Sequence, residues 1–317
     1  VKPINRYYNY KKKNIFVIID MILGDFFSLI HFSMILLVSS RKDCVVHISG
    51  FTGIYMSYEF MSVLLARILG FKVIYEIRGG GIINNYESGS SFYKIVFKNT
   101  IKLANHIWSQ GKENERIIKE FSKSSFFHYP NCVNSEFMPK TCPIRKNKPI
   151  CLLYLGRISP SKNVLTIVQT SKYLKDKGED VKLYIIGGAS DYPDYLDMIK
   201  KYIRENKLQN NCTLLGQLDK SEMKDYLNEA MFFLFPSQEK REGQSNALTE
   251  AMSFGIVPVA SSQGYNRFTI NNDFLIVDNL TPEAYGNKVI DVFKSGYYDI
   301  LSKEMHSRIK QYFTYDS

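Results

Sequence analysis

Short apolar runs alternate with longer amphipathic stretches along most of the chain, and the two periodicities predict different elements. In the first half, residues 44–48 (CVVHI), 72–77 (KVIYEI) and 106–109 (HIWS) predict strands, while 56–69, 92–104 and 112–121 predict helices. Residues 78–91 (RGGGIINNYESGSS) are too rich in Gly, Asn and Ser for a core element and predict a loop. The second half keeps the same rhythm, with strands predicted at 150–155, 181–186, 212–215, 231–235, 257–260 and 274–277 and helices between most of them. Strands separated by helices of this length need crossover connections, so both halves predict parallel sheets. The earliest apolar stretch, 15–38, is interrupted by Asp20, Asp25 and His31 and falls short of the ~18 uninterrupted apolar residues of a membrane span. It is expected to be buried secondary structure, with a place on a membrane surface as the second reading.

A chain of 317 residues is too long for one ordinary core and suits two domains of roughly 150 residues each. Residues 138–149 combine prolines with a charge cluster and no periodicity. The expected division is therefore a first domain at 1–140, a second at 149–300, and the start of a further helix at 301–317. The net charge of +10 is uneven, because residues 1–140 carry 18 Lys and Arg against 10 Asp and Glu, leaving +2 for the remainder. A basic first half fits an anionic membrane surface, a phosphorylated acceptor or nucleic acid, and equally fits ordinary solubilising charge. Nucleic acid is not the expected partner, since no recognisable module interleaves aromatics with arginine. Five cysteines without C-x-x-C spacing imply neither a disulfide framework nor a zinc site, and a reducing cytosol is the expected compartment.

The candidate chemistry lies in residues 231–261 (MFFLFPSQEKREGQSNALTEAMSFGIVPVAS). They predict a buried strand broken at Pro236-Ser237, a polar loop, a helix starting near Ser245 and stopping at Gly255, and a second strand. Glu242 then sits in the loop before the helix, and Glu250 lies about two turns in. Between them the free amides of Ser245, Asn246, Ala247 and Leu248 form a helix N-terminus able to take an anion. A carboxylate on each side of amide donors suits a ligand with hydroxyls flanking a diphosphate, the layout of a nucleotide-sugar. Earlier, Gly156 lets the chain turn close to a ligand after the strand 150–155, and Arg157 and Lys162 supply two cations there. Such fixed charge stabilises a leaving diphosphate more in the transition state than in the ground state and makes a divalent metal dispensable. Asp191, Asp194 and Asp197, spaced by three, are expected to be solvated helix residues, not ligands.

The run EGQSNALTEAM followed by GIVPVAS resembles the E-x7-E signature of retaining nucleotide-sugar glycosyltransferases of the GT-B fold, and the segment GRISPSKN is similar to their G-R-(x)n-K segment. The resemblance implies two Rossmann-like, doubly wound α/β domains facing across a cleft. It implies that Arg157 and Lys162 hold the donor diphosphate, that Glu250 binds the ribose hydroxyls and that Glu242 lies against the transferred sugar. Gly156, Gly243, Gln244 and the residues from Ser245 to Leu248 complete the expected donor site, with Gln217 and Leu218 at the nucleobase position. Family members often place a His-Gly at the end of the strand that here reads YEIRGGG. This chain has Arg78 there, which cannot act as a base at neutral pH but can bind phosphate or steady an oxygen. Arg78, Gly79, Gly80, His47 and Arg267 are the expected acceptor-side residues, and Gly50, Phe51 and Thr52 a candidate cleft loop.

The implied reaction is front-face attack by the acceptor hydroxyl, with the leaving phosphate taking its proton, so no catalytic base is named. No cofactor is implied beyond the nucleotide-sugar co-substrate. The implied acceptor is a glycan or a lipid-linked acceptor, the implied setting bacterial surface polysaccharide assembly, and the implied location the cytoplasm or the inner face of the cell membrane. Both ends resemble cuts: no opening strand with a glycine-rich loop is found, and QYFTYDS resembles the start of the family's last helix. A non-catalytic sugar-nucleotide-binding relative stays open as the alternative. A dinucleotide-dependent oxidoreductase is disfavoured by the lack of a G-x-G-x-x-G between strand and helix.

Overall fold

Residues Ile150–Leu155 (ICLLYL) are buried at every position, the pattern of a strand covered on both faces within a parallel α/β arrangement. The computed structural model of the chain describes residues 15–50, 55–145, 148–239 and 242–315, with side chains from Leu23 onward. These divide into two compact units, Val1–Tyr129 and Pro130–Ser317. Phe51 and Thr52 of the expected cleft loop lie outside the described residues.

The first unit runs α1 (Ile15–Leu37), β1 (Val45–Gly50), α2 (Met56–Ile68), β2 (Lys72–Ile77), α3 (Ile82–Ser88), α4 (Ser91–Leu103), β3 (His106–Ser109), α5 (Glu115–Phe121) and β4 (Ser125–His128). Its four strands are parallel in the order β1-β2-β3-β4. Val46, Val73, Tyr75, Ile77 and Ile107 meet Val63, Phe97 and Ile101 of the helices in one core. The Tyr75 hydroxyl donates to buried Glu59 at 2.6 Å, which satisfies both groups away from water. Two expectations are corrected here. Residues 82–88 form α3 and not a loop, because Ile82, Ile83 and Tyr86 recur on one face and pack on the core while Asn84, Glu87 and Ser88 are exposed. The stretch 15–38 is helical, but Phe26, Phe27, Met34, Leu37 and Val38 are exposed and not buried.

The second unit runs β5 (Ile150–Leu155), α6 (Val164–Asp176), β6 (Val181–Ile186), α7 (Pro193–Glu205), β7 (Cys212–Gly216), α8 (Lys220–Glu229), β8 (Phe232–Phe235), α9 (Asn246–Ser253), β9 (Val257–Ala260), α10 (Asn266–Ile270), α11 (Pro282–Lys294) and α12 (Tyr298–Tyr312). The five strands are parallel in the order β7-β6-β5-β8-β9. The chain thus winds outward from β5 through β6 and β7, then returns to β5's other side. Between β5 and β8 the winding reverses, and in open α/β sheets ligands bind outside the strand carboxyl ends at such a switch point.

The boundary between units differs from the expected 138–149, because residues just after Pro130 are already tied to the second unit. Asn131 donates its backbone N–H to Gln244 Oε1 at 2.8 Å and Val133 N–H bonds to the Phe313 carbonyl at 2.7 Å. Phe137 packs edge-on against Phe254, and Arg145 donates to the carbonyls of Leu227 and Phe254. Residues 301–312 do not begin a new helix but are the body of α12, whose Leu301, Met305 and Ile309 are buried in the second core. The predicted strand at 274–277 is a 3-10 turn at Asp273–Leu275 with a single bridge from Ile276 to Ala260. Asn272 is the cause, since its side chain accepts from Phe274 N–H and turns the chain before a ladder can form.

Candidate active site

The ends of β5 and β8 bring Lys162 and Glu242 together across the switch point. After β5 the chain turns at Gly156 and passes through a 3-10 turn at Pro160–Lys162. After β8 it breaks at Pro236-Ser237 and forms the loop that carries Glu242. The Lys162 ammonium pairs with Glu242 Oε2, and both side chains are largely buried, at 14% and 11% exposed. Ser237 Oγ donates to the same carboxylate oxygen at 2.8 Å, and the Phe235 ring lies 5.4 Å from the ammonium. Gln238 N–H bonds the Ser161 carbonyl at 2.8 Å, so the two loops are fastened by backbone as well. Gly264 has no room for a side chain, because a Cβ there would stand 2.3 Å from the Glu242 carbonyl oxygen.

Glycines let β5, β6 and β7 converge at their carboxyl ends. Gly156 N–H bonds the Ile186 carbonyl, Gly187 N–H bonds Gly216, and Ile158 N–H bonds Gly188. Gly187 has φ +151°, and a Cβ on it would fall 1.8 Å from the Gly156 carbonyl oxygen. Gly187→Ala is therefore expected to lower stability by about 3 kcal/mol, combining backbone strain with overpacking. Gly178→Ala is the control, since Gly178 shares a positive φ but has open space around it, and it should cost only ~1–2 kcal/mol. Urea unfolding of both variants checks this, and equal midpoints would remove the close-packing argument. Arg157 is exposed beside this junction, its carbonyl accepting from the Tyr154 hydroxyl at 2.7 Å. Gln217 is exposed past the end of β7, next to Gly188, while Leu218 is half-buried against the core.

Helix α9 begins at the cap the sequence predicts, with Ser245 Oγ accepting from Leu248 N–H at 3.3 Å. That bond corrects one expected feature: the Leu248 amide belongs to the cap and is not free for a ligand. The Leu248 side chain is buried, Asn246 is exposed, and Gly243 and Ala247 are half-buried. The Gln244 side chain is committed elsewhere, bonding the backbone N–H and carbonyl of Asn131 at 2.8 and 3.0 Å. It holds the segment after Pro130 in place. Glu250 stands further along α9, 19% exposed, with Lys220 at the start of α8 3.8 Å away. Burial pushes the Glu250 carboxyl up, and Lys220 partly opposes this. Arg267 is half-exposed and pairs with Asp273 and, at 3.7 Å, with Asp278. Asp191, Asp194 and Asp197 are exposed around the start of α7, which begins at Pro193.

In the first unit, buried Glu76 joins two of the expected acceptor residues. His47 Nε2 lies 2.8 Å from Glu76 Oε2 and Arg78 Nε 3.2 Å from Oε1. The Trp108 ring is 5.3 Å from His47. Gly79 is half-buried and Gly80 buried in the turn that follows Arg78. Three partners escaped the sequence reading: Ser237, Lys220 and Glu76. Only Glu76 left a signal, as a charged residue inside the otherwise apolar run KVIYEI.

Residues 136–313 match the model of the family Glycosyl transferases group 1. The chain belongs to that family. This group 1 chain is 31% identical over 121 residues to the amylovoran biosynthesis glycosyltransferase AmsK of Erwinia amylovora, covering 37% of this chain and 28% of that protein. It is 25% identical over 226 residues to a poly(glycerol-phosphate) alpha-glucosyltransferase of Bacillus subtilis, covering 68% of this chain and 32% of that one. The chain thus spans no more than about a third of the length of these curated relatives. Among solved structures it resembles HepE of Anabaena in complex with UDP, with a TM-score of 0.64 at 12% identity over 85% of this chain and 75% of that one. At that identity the likeness is one of fold, and the fold is GT-B.

Proposed function

We propose that this group 1 chain is a retaining glycosyltransferase that moves a hexosyl unit from a nucleotide-diphospho-sugar to a glycan or lipid-linked acceptor in bacterial surface polysaccharide assembly, in the cytoplasm. The observation that carries the reading is the Lys162–Glu242 pair, two charges brought from separate loops to the carboxyl ends of β5 and β8 at the switch point. Two largely buried charges carry a desolvation cost that their pairing repays only in part, so the pair is weak as a stabilising device and favours a role in ligand binding. UDP in a solved neighbour and the biosynthetic roles printed for the relatives favour a nucleotide-sugar donor.

In the proposed reaction the acceptor hydroxyl attacks the anomeric carbon on the face that the diphosphate leaves. A new carbon–oxygen bond forms, the anomeric carbon–phosphate oxygen bond breaks, and the hydroxyl proton passes to the departing phosphate oxygen. Arg157 and Lys162 take up the charge that grows on that oxygen, and fixed charges of this kind need no reorganisation during the step. Glu242 gives up Lys162 to the diphosphate and turns its acceptor oxygens to the hydroxyls of the transferred sugar. Glu250 accepts from the ribose, and His47, Arg78 and Glu76 serve the acceptor side. The two cations do the work that a divalent metal does elsewhere.

Arg157→Ala is accordingly expected to weaken UDP binding by about 1.5–3 kcal/mol, the range for charge-assisted hydrogen bonds. EDTA should leave the affinity of the parent protein unchanged, and its loss on chelation would overturn the metal-free reading. A panel of nucleotide-sugars offered with and without lipid-linked and free glycan acceptors tests the activity, with nucleoside diphosphate release and the anomeric configuration of the product as readouts. Release with retention is the expected result. Tight donor binding with no release from any donor would favour a non-catalytic sugar-nucleotide-binding role.

A further inference from the structure

Helix α1 is built inside out. An α-helix that packs on a soluble core turns its apolar side inward, and one that is apolar all round is buried. On α1 the residues turned toward the rest of the first unit are Gly24, Asp25, Ser28, Leu29, Phe32, Ser33, Ile35 and Leu36, a mixed set in which Ser33 Oγ satisfies itself on the Leu29 carbonyl at 2.8 Å. The exposed residues are Leu23, Phe26, Phe27, Ile30, His31, Met34, Leu37 and Val38. At 100° per residue these occupy one continuous arc of about 140°, with His31 at its edge. The side away from the core is therefore the more apolar one. Among the described residues, α1 packs on α2, and the apolar surface continues there through Met61 and Ile68, both exposed. A groove of about 380 Å³ runs between the two helices, lined by Phe26, Leu29, Ile30, Met34, Leu37 and Met61.

A contiguous exposed apolar surface on two neighbouring helices marks an interaction surface, and charge selects its partner. Among the described side chains none on the exposed arc is acidic, and its polar member is His31. Arg41 and Lys42, with Asp43 beside them, are exposed in the turn that follows the helix, and in the sequence Lys11, Lys12 and Lys13 come shortly before Ile15. An apolar face bracketed by cations matches a layer whose interior is hydrocarbon and whose surface is anionic. The described apolar residues that are exposed lie on one side of the helix, the pattern of a helix that lies along a membrane surface. We propose that the exposed face of α1, with the groove beside α2, seats this chain on an anionic lipid bilayer, with Arg41 and Lys42 at the headgroups.

The test is flotation of the protein with vesicles of phosphatidylglycerol and phosphatidylcholine, against vesicles of phosphatidylcholine alone. Binding is expected with the anionic vesicles, weakening as salt is raised. The triple variant Phe27→Asn, Ile30→Asn, Met34→Asn should lower the partition coefficient by more than roughly tenfold, given the apolar area withdrawn. A far-ultraviolet spectrum like the parent's shows that the variant is folded, and any fall in its urea midpoint reflects the lower helix propensity of asparagine. A second readout leaves the apolar face intact: Phe27→Trp should show a blue-shifted emission, above the background of Trp108, when anionic vesicles are added. Failure to float, or an unshifted emission from the introduced indole, would overturn the proposal. A dimer in sedimentation velocity that the triple variant dissolves, with no vesicle binding, would assign the face to a second copy of the chain. None of these readouts depends on donor or acceptor, so their failure leaves the glycosyltransferase reading where it stands.

Discussion

Glu242→Gln is expected to lose transfer by roughly 100-fold or more while leaving UDP binding unchanged or tighter, and Lys162→Met to lose both. The sizes follow from what each side chain does. In the free protein the Lys162 charge is neutralised by Glu242, so an incoming diphosphate must compete with a carboxylate already in place. Glutamine keeps the shape and can still accept from Ser237, which holds the loop at 2.8 Å. It removes the competing charge, and Lys162 becomes more available to phosphate. In the proposed reaction the same substitution deprives the transferred sugar of a charged acceptor whose contact strengthens as the ring takes on positive character, and removal of one such preorganised interaction typically costs roughly 10²–10³ in rate. Methionine at 162 keeps the packing over Phe235 but removes the cation, so binding and rate fall together. Calorimetric titration with UDP and initial transfer rates, measured on the same preparations, separate these effects. Parallel losses of affinity in both variants would show that the pair is a structural clasp and not a ligand-exchanged one.

Much of the second unit's sheet was legible because its strands are buried on both faces and read as unbroken apolar runs, as ICLLYL and VKLYII do. The cap at Ser245 and the stop at Gly255 were legible for a local reason: each is fixed by its own backbone geometry, a side-chain bond to Leu248 in one case and φ +71° in the other. What escaped was decided by partners distant in sequence. Gln244 looks like any polar loop residue until Asn131, more than a hundred positions earlier, is placed against it. The same bond explains why the unit boundary fell at Pro130, since a stretch without periodicity is still part of a fold when its backbone is hydrogen-bonded there. Helix α3 hid behind glycines and asparagines because its three apolar residues do not make a long pattern, yet they suffice once the core is beside them. Helix α1 misled in the other direction: its apolar content was plain, but composition cannot say which side is turned outward. In the candidate site, residue types predicted the charges at 157, 162, 242 and 250 but not that two of them neutralise each other in the absence of ligand.

Glu250 carries the second large effect, and its sign depends on pH. Burial raises its carboxyl above the ordinary value of 4.5, with Lys220 opposing. A raised acid pKa means that the folded protein favours the protonated form. This group's contribution to stability is thus fully present below the unfolded value and lost as pH rises through the folded one. At neutral pH the ionised carboxylate is held at a cost, and in the proposed donor site it is this ionised form that accepts from the ribose hydroxyls. UDP affinity should therefore fall as pH drops through the raised pKa, a window that begins above the ordinary carboxylate range. Glu250→Gln should remove the pH step and weaken UDP binding at neutral pH by about 1.5–3 kcal/mol, as expected for lost hydrogen bonds to a charged acceptor. It should at the same time leave the unliganded fold as stable as the parent or more so at neutral pH, because the desolvation cost disappears and Lys220 is 65% exposed and easily solvated without its partner. Opposite signs in binding and stability distinguish a ligand-facing carboxylate from a helix residue whose ion pair merely supports α9. UDP titrations from about pH 5 to 8 with both proteins, alongside thermal unfolding at each pH, measure the two quantities together. If the variant keeps the parent's pH step, or loses stability while keeping affinity, Glu250 is a structural residue and the ribose contact lies elsewhere.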